Sequence, residues 1–151
     1  YAIDHAQRIK GLGKNSWGMS ASISPTTGYS GHYGSYPIGA GYKLVEDGTV
    51  APYGALSFLP FTPEESISAF KYMYTIPGLV GKYGLYDAYS FKTKAKGNQP
   101  WIAKSYLGID KGLVLLMFEN YSTQLIWKLL HQNIYIQKGL KTLEFAQVKK
   151  I

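Results

Sequence analysis

Apolar and polar positions along the chain predict helices near its start and in its middle. Residues 1–10 are typical of a helix, or of its last turns, which the glycines at 11 and 13 would end. The apolar segment 50–61 carries Pro52, which suits the first turn of a helix, and Pro60, which would end it. A strand is the alternative there, although proline and glycine count against it.

The clearest local signal is the segment Thr62-Pro63-Glu64-Glu65. It predicts an N-cap threonine, a proline at the first helical position and a glutamate that returns a hydrogen bond to the cap. We expect this helix to run from Pro63 to about Thr75. Its predicted buried stripe consists of Ile67, Phe70 and Tyr74.

Two further helices are predicted in the last third of the chain. Asp110 opens a long one, from Lys111 to about His131, and its part 113–118 is apolar on every face, as in a helix buried among other helices. Asn133 caps the last helix, from Ile134 to about Phe145. The residues predicted to face inward on it are Tyr135, Leu140 and Leu143.

The remaining segments lack a clear period. Residues 15–42 predict a long structured loop rich in Gly and Tyr, Asp47-Gly48 predicts a turn, and residues 79–109 predict mostly loop. No alternation of strand and helix is visible. The pattern therefore predicts an all-α chain of helical hairpins joined by long loops, in one domain over residues 1–151.

Composition agrees with one globular domain, since 46% of the 151 residues are hydrophobic and 17% are charged. The absence of cysteine excludes a disulfide framework, a thiolate zinc site, an iron–sulfur cluster and a cysteine nucleophile. The histidines (His5, His32 and His131) lack metal-ligand spacing, and no G-x-S-x-G or phosphate-loop pattern occurs. We expect neither a metal nor a cofactor.

The formal net charge of +7 raises nucleic acid as a partner. The basic residues form no continuous stripe, and the short cluster within 92–96 is the densest group before the C-terminal tail, so we expect a solvated surface and no nucleic-acid partner. The longest apolar run, 112–118, is too short for a membrane span. Because the chain begins without Met or a signal peptide, we expect a processed product or part of a longer protein.

Aromatic residues make up 15% of the chain. Tyr and Trp side chains stack on flat partners such as sugars or nucleobases, and a Tyr-rich core is the alternative explanation. Trp17, Tyr86 and Trp101 are the aromatic candidates for substrate binding. Asp87, a loop acid among aromatics, is a candidate for holding a sugar hydroxyl.

Two acids of the long helix are candidates for catalysis. A structural role as an N-cap carboxylate would by itself account for Asp110. The start of the helix would also keep this carboxylate ionised, as a general base must be. Glu119 is either a satisfied internal carboxylate or, if burial raises its pKa, a proton donor. These acids are nine residues apart, about 13 Å along a helix and on opposite sides of it, so we do not expect them to act as a pair.

Several ordered blocks of the sequence resemble the bacterial putative glucoamylase family, from about Ala6 to Phe145. The blocks begin at Trp17-Gly18-Met19, Asp47-Gly48-Thr49, Leu59-Pro60-Phe61, Tyr83-Gly84-Leu85, Tyr106-Leu107-Gly108 and Glu119-Asn120-Tyr121. The resemblance implies a glycoside hydrolase whose domain is an (α/α)6 toroid of helices. This chain is similar to its C-terminal part.

The family includes enzymes that cut β-1,2-glucan with inversion. The resemblance assigns the general base to Asp110 and places Trp17 and Asp87 near the cleft. Because the chain offers no second well-placed acid, we expect the proton donor in an absent N-terminal part. It implies a glucan partner. We also expect a periplasmic or secreted location, and self-association or pairing with the missing half, because half a toroid would expose apolar helix faces.

Two positions depart from the family pattern. Ile23 stands where we expect an Asp, and Lys111 stands where we expect a Gln. Both would change the sugar-contacting surface. They support the alternative of a non-catalytic glycan-binding or scaffolding domain, with a basic nucleic-acid binder as a third hypothesis.

Overall fold

The computed structural model of the protein describes residues 2–9, 12–31 and 47–146. Its helices are α1 (Ala2–Arg8), α2 (Pro52–Leu56), α3 (Pro63–Tyr74), α4 (Gly108–Thr123), α5 (Leu125–Gln132) and α6 (Ile134–Thr142). Its strands are β1 (Ser22–Ser24), β2 (Gly28–Ser30), β3 (Thr49–Val50), β4 (Val80–Gly81), β5 (Gly84–Leu85), β6 (Ala88–Lys94) and β7 (Pro100–Ala103).

The strands form three antiparallel sheets, namely the pair β1–β2, the three-stranded sheet β3–β6–β7 and the pair β4–β5. The predicted all-α class of helical hairpins is therefore wrong, because strands accompany the helices. Four strands lie in residues 79–109, which we predicted as loop. Most of these strands are too short to show a period, and the first three residues of β6 are all buried, which hides the alternation.

The core is centred on β6. Tyr89, which is fully buried, pairs with Val50 of β3 on one side and with Ile102 of β7 on the other. Its hydroxyl shares a hydrogen bond of 2.8 Å with the hydroxyl of Ser16, and burial raises the pKa of Tyr89. Around it pack the other large buried side chains Trp17, Leu56, Met73, Ile76, Leu79 and Leu85.

Helix α3 spans the predicted range, with Thr62 at the N-cap position and Pro63 in the first turn as predicted, but the predicted capping bond and buried stripe are wrong. The side chain of Thr62 makes no capping bond and lies 3.3 Å from the hydroxyl of Ser66 instead. The buried face consists of Ser66, Ala69 and Met73. Small residues face inward because α2 lies close by, so that the Ser66 hydroxyl donates to the carbonyl of Ala55 at 3.0 Å.

The predicted helix 111–131 is divided into α4 and α5. Gln124 adopts a left-handed conformation with φ of 60°, which ends α4 directly before α5 begins. The side-chain oxygen of Asn120, which is buried, accepts a hydrogen bond of 3.1 Å from the backbone N–H of Trp127 and holds the two helices together. A buried amide thus satisfies a backbone donor at the start of α5.

The cap at Asn133 is confirmed, since its side chain accepts from the N–H groups of Tyr135 and Ile136. The predicted inward side chains of α6 are not buried, because Tyr135 and Leu143 are largely exposed. Val114 of α4 packs on the core, but several of the apolar side chains in 113–118, such as Leu115, are exposed, so the prediction of a helix buried on every face is wrong. No helix in the described ranges is long and apolar enough to cross a membrane.

The loop after Trp17 packs backbone to backbone against the start of α2. The carbonyl of Gly18 accepts a hydrogen bond of 3.0 Å from the N–H of Ala51. Gly18 has a φ of +116°, and a Cβ there would lie 2.7 Å from the carbonyl oxygen of Ala51 and 2.8 Å from the nitrogen of Ala55. Glycine is required at this position both for its conformation and for the close approach.

We expect Gly18→Ala to lower the free energy of unfolding by about 2–4 kcal/mol, measured by urea denaturation. Gly28→Ala is the matched control, because Gly28 also has a positive φ (+75°) but no atom lies within 4 Å of its added Cβ. Its expected loss is about 1 kcal/mol, the cost of the conformation alone. Equal losses in the two variants would show that the contact with α2 does not matter.

Candidate active site

Two buried carboxylates meet where β5 leads into β6 and α4 begins. Asp87 lies between these strands and is 5% exposed, while Asp110 lies in the first turn of α4 and is 6% exposed. The N-cap of α4 is Leu107, so Asp110 does not take the capping position. The structure thus joins two acids that are 23 residues apart in the sequence.

Backbone groups from two other segments fix Asp87. Its Oδ2 accepts a hydrogen bond of 2.8 Å from the N–H of Ile23 in β1, and its own N–H donates to the carbonyl of Ser105 at 3.0 Å. The second oxygen, Oδ1, is buried without a hydrogen-bond partner among the described residues, and so is Oδ2 of Asp110. Each carboxylate therefore keeps one oxygen for a proton, a water or a ligand.

The environment raises the pKa of Asp110 to about 6. Burial is the largest cause, followed by a hydrogen bond to Asp87 and by the negative charge of Asp87, while the positive charge of Lys111 opposes them. The sequence predicted that the helix start would keep Asp110 ionised. Burial beside a second carboxylate outweighs that effect, although a pKa of about 6 still leaves the group mostly ionised at pH 7.

Tyr53 of α2 also lies close enough to Asp110 and Asp87 to feel their charges. The sequence analysis did not single out this residue. Its hydroxyl donates to the carbonyl of Ala21 at 3.1 Å and shares a hydrogen bond of 2.7 Å with the hydroxyl of Ser20. Burial raises the pKa of Tyr53, and the charges of Asp110 and Asp87 add to this. No local signal marks Tyr53, because only the tertiary fold brings α2 beside α4.

Lys111 connects the start of α4 to β5. Its ammonium donates a hydrogen bond to the carbonyl of Leu85 and lies 5.5 Å from the ring centre of Tyr106. The Tyr106 ring packs on the ring of Tyr86 at 4.9 Å and on that of Tyr83 at 5.4 Å. Burial lowers the pKa of Lys111, whereas the charges of Asp87 and Asp110 raise it.

The other predicted site residues lie in different surroundings. Tyr86 is half-buried in the tyrosine cluster directly before Asp87, and Trp101 is half-buried on β7 opposite Ser90. Trp17 is 3% exposed in the core, and its indole N–H lacks a partner among the described residues. The binding roles of these residues stay predictions.

Glu119 is half-buried on α4, and its Oε1 accepts a hydrogen bond of 2.6 Å from the hydroxyl of Thr123. A side chain one turn further along the same helix therefore satisfies this carboxylate.

A cavity of about 150 Å³ lies between α2, α3, α4 and β5. Most of its lining is aromatic or aliphatic, and Lys111 reaches it from α4; its aromatic side chains include Tyr53, Phe70, Tyr74, Tyr83 and Phe118. Within the described ranges, no three His, Asp or Glu side chains lie together as metal ligands.

We expect the pH dependence of stability to report Asp110. The folded protein keeps this proton up to about pH 6, whereas the unfolded chain releases it near pH 4. The stability from this group is therefore present below about pH 4 and is lost as pH rises through 6. In urea titrations, Asp110→Asn should gain on the order of 1–2 kcal/mol relative to wild type between pH 4 and pH 7.

Ile109→Asn is the control, because Ile109 is 79% exposed in the same turn and carries no titratable group. It should keep the pH dependence of the wild type. An Asp110→Asn variant with that same dependence would contradict the raised pKa.

Comparison with known proteins identifies the family. The family model described as "Putative glucoamylase" matches residues 1–134. An exo-β-1,2-glucooligosaccharide sophorohydrolase (non-reducing end) of Parabacteroides distasonis is 30% identical over 146 residues, which cover 95% of this chain and 18% of that protein.

Solved structures show the same relationship. An endo-β-1,2-glucanase from Chitinophaga pinensis, in complex with sophorotriose and glucose, is 36% identical with a TM-score of 0.70 and matches 94% of this chain and 31% of its own. A glucoamylase-like protein from Bacteroides uniformis is 40% identical with a TM-score of 0.72 and matches 93% and 31%. This chain thus spans a third or less of these relatives, and it belongs to the putative glucoamylase family.

Proposed function

We propose that this chain is part of a glycoside hydrolase that acts on a β-1,2-linked glucan. The names of the relatives support the substrate class, since they include an exo-acting and an endo-acting enzyme on β-1,2-linked glucose. The observation that carries the proposal is the buried pair of Asp110 and Asp87, each with one oxygen left without a partner among the described residues. A periplasmic or secreted location belongs to the same proposal.

In the proposed mechanism, Asp110 is the general base of an inverting reaction. It takes a proton from the water that attacks the anomeric carbon. A base works best when its pKa lies near the working pH, because a lower pKa weakens its pull on the proton and a higher one leaves it protonated. The pKa of about 6 satisfies both conditions near neutral pH.

The proton donor is a different group from Asp87. An inverting enzyme holds its donor and base about 6.5–9.5 Å apart, so that a water fits between the base and the sugar. Asp87 interacts with Asp110 at close range and helps to raise the pKa of Asp110, so we do not assign Asp87 as the more distant donor of an inverting pair. Glu119 lies nine residues beyond Asp110 on α4 and accepts a hydrogen bond from the hydroxyl of Thr123. We therefore assign the donor to a segment outside this chain.

Asp87 and the tyrosines serve binding in this proposal. The unpartnered Oδ1 of Asp87 can accept a hydrogen bond from a sugar hydroxyl. Tyr86, which directly precedes it, offers an aromatic ring at the same place. The comparisons give no support to the non-catalytic alternative, in which the glycan binds without cleavage.

Asp110→Asn is the direct test of the base. In the protein with its donor-bearing segment present, we expect kcat on β-1,2-glucan to fall by about 10³-fold or more while the unfolding transition is kept, because the amide cannot accept the water proton. Reducing-sugar release is measured on β-1,2-glucan and α-1,4-glucan, and polarimetry gives the anomer first released.

Glu64→Gln is the matched control, since Glu64 is an exposed carboxylate in the first turn of another helix. It should keep wild-type turnover. Full activity of Asp110→Asn would remove this residue from the mechanism, and glycan binding without any release by the wild type would favour the non-catalytic domain.

The pH profile gives a second test. We expect kcat/KM to rise with pH through an acid limb with an apparent pKa near 6, because Asp110 acts only when it is ionised. Asp87→Asn should shift this limb to lower pH, since the hydrogen bond and the charge of Asp87 both raise the pKa of Asp110. An acid limb that stays in place would show that another group controls the profile.

A further inference from the structure

We propose that Lys111 is a positioning residue that ties the first turn of α4 to β5 and thereby holds the carboxylate of Asp87 against that of Asp110. The inference rests on the proposed role of Asp110, and it assigns a task to the position at which the chain departs from the pattern expected for its family.

The contacts of Lys111 carry the proposal. Lys111 directly follows Asp110, and its ammonium donates a hydrogen bond to the carbonyl of Leu85, two residues before Asp87. One side chain therefore links the backbone beside the first carboxylate to the backbone beside the second. Asp87 also makes hydrogen bonds with the backbone of Ile23 and of Ser105, in segments other than α4.

The surroundings of Lys111 restrict where its ammonium can go. The side chain is half-buried, and its charge lies 5.5 Å from the ring centre of Tyr106. Tyr106 in turn packs on Tyr86, which lies between Leu85 and Asp87. A Cβ at Gly81 would overlap both of these tyrosines, so the backbone of β4 packs directly against their rings. The ammonium is thus held by a hydrogen bond and an aromatic face together.

Charge gives a reason for a cation at this position. Two carboxylates that share a buried site repel each other unless one is protonated or a positive charge is close. The charge of Lys111 acts on both Asp87 and Asp110, and it opposes the rise in the pKa of Asp110. The titratable groups that face Asp110 are Asp87, Lys111 and Tyr53, and Tyr29 faces Tyr53 in turn. Lys111 is the cation of this set.

Two substitutions separate the hydrogen bond from the charge. Lys111→Met removes both at similar length, whereas Lys111→Gln removes the charge and keeps an N–H donor for the Leu85 carbonyl. The readouts are hydrogen exchange at the N–H groups of Ile23 and Asp87, and the NMR titration of the Asp110 carboxyl carbon, all in the 151-residue protein without any glucan.

We expect Lys111→Met to speed exchange at both N–H groups at least tenfold and to raise the pKa of Asp110 by about one unit. Lys111→Gln should raise this pKa by a similar amount but keep exchange within about threefold of the wild type. Lys128→Met is the matched control, because the Lys128 ammonium on α5 also donates to a backbone carbonyl, that of Thr123 at the end of α4. It should leave both readouts unchanged.

Wild-type exchange at Ile23 and Asp87 in Lys111→Met would overturn the proposal, whatever happens to the pKa, because the lysine would then act by charge alone or not at all. A similar acceleration in Lys128→Met would overturn it too, since the effect would be one of general stability. Neither readout requires hydrolysis. The positioning role of Lys111 can therefore be supported or overturned independently of whether the proposed reaction takes place.

Discussion

The burial of two carboxylates against each other is the constraint on which the site depends. A buried charge is tolerated only when it is paired or hydrogen-bonded. Here the N–H of Ile23 satisfies one oxygen of Asp87, while the ammonium of Lys111 lies close enough to act on both acids. This arrangement of the two acids requires three segments to lie together, namely the strand pair β1–β2, the β5–β6 connection and the start of α4. The site is therefore a property of the whole described core.

The sheet centred on β6 supports the segments that carry the two acids. Tyr89 is buried between β3 and β7 and is tied to Ser16 through its hydroxyl. Asp87 lies two residues before Tyr89, so packing of the core limits how far this carboxylate can move. Gly18 allows the loop before β1 to approach the backbone of α2, which also carries Tyr53. Core packing and site geometry are thus two results of the same contacts.

The positions that depart from the family pattern take structural roles around the acids. At Ile23 the backbone rather than the side chain contacts Asp87, so a change of side chain there leaves the hydrogen bond in place. At Lys111 the side chain donates a hydrogen bond to the carbonyl of Leu85 and also brings a positive charge, which the expected Gln would lack. A departure from the expected residue therefore does not by itself indicate a lost site.

The sequence by itself determined the helices with strong local signals. Proline at the start of α2 and α3 and the side-chain cap at Asn133 act over a few neighbouring residues, so a local pattern predicts them. The ordered blocks also identified the family, because sequence motifs can be recognised without knowledge of the tertiary contacts. Asp110 and Asp87 could be singled out as acids in unusual surroundings, but not as a pair.

Only the tertiary structure decided the sheets, the helix faces and the pair. Strands of two to four residues gain their stability from partners distant in the chain, as Thr49 does with Ser90. No local periodicity of the sequence therefore predicts them. The buried face of α3 depends on how closely α2 approaches. The raised pKa of Asp110 arises from burial and from a carboxylate 23 residues away, and electrostatic effects of this kind exist only once the chain has folded.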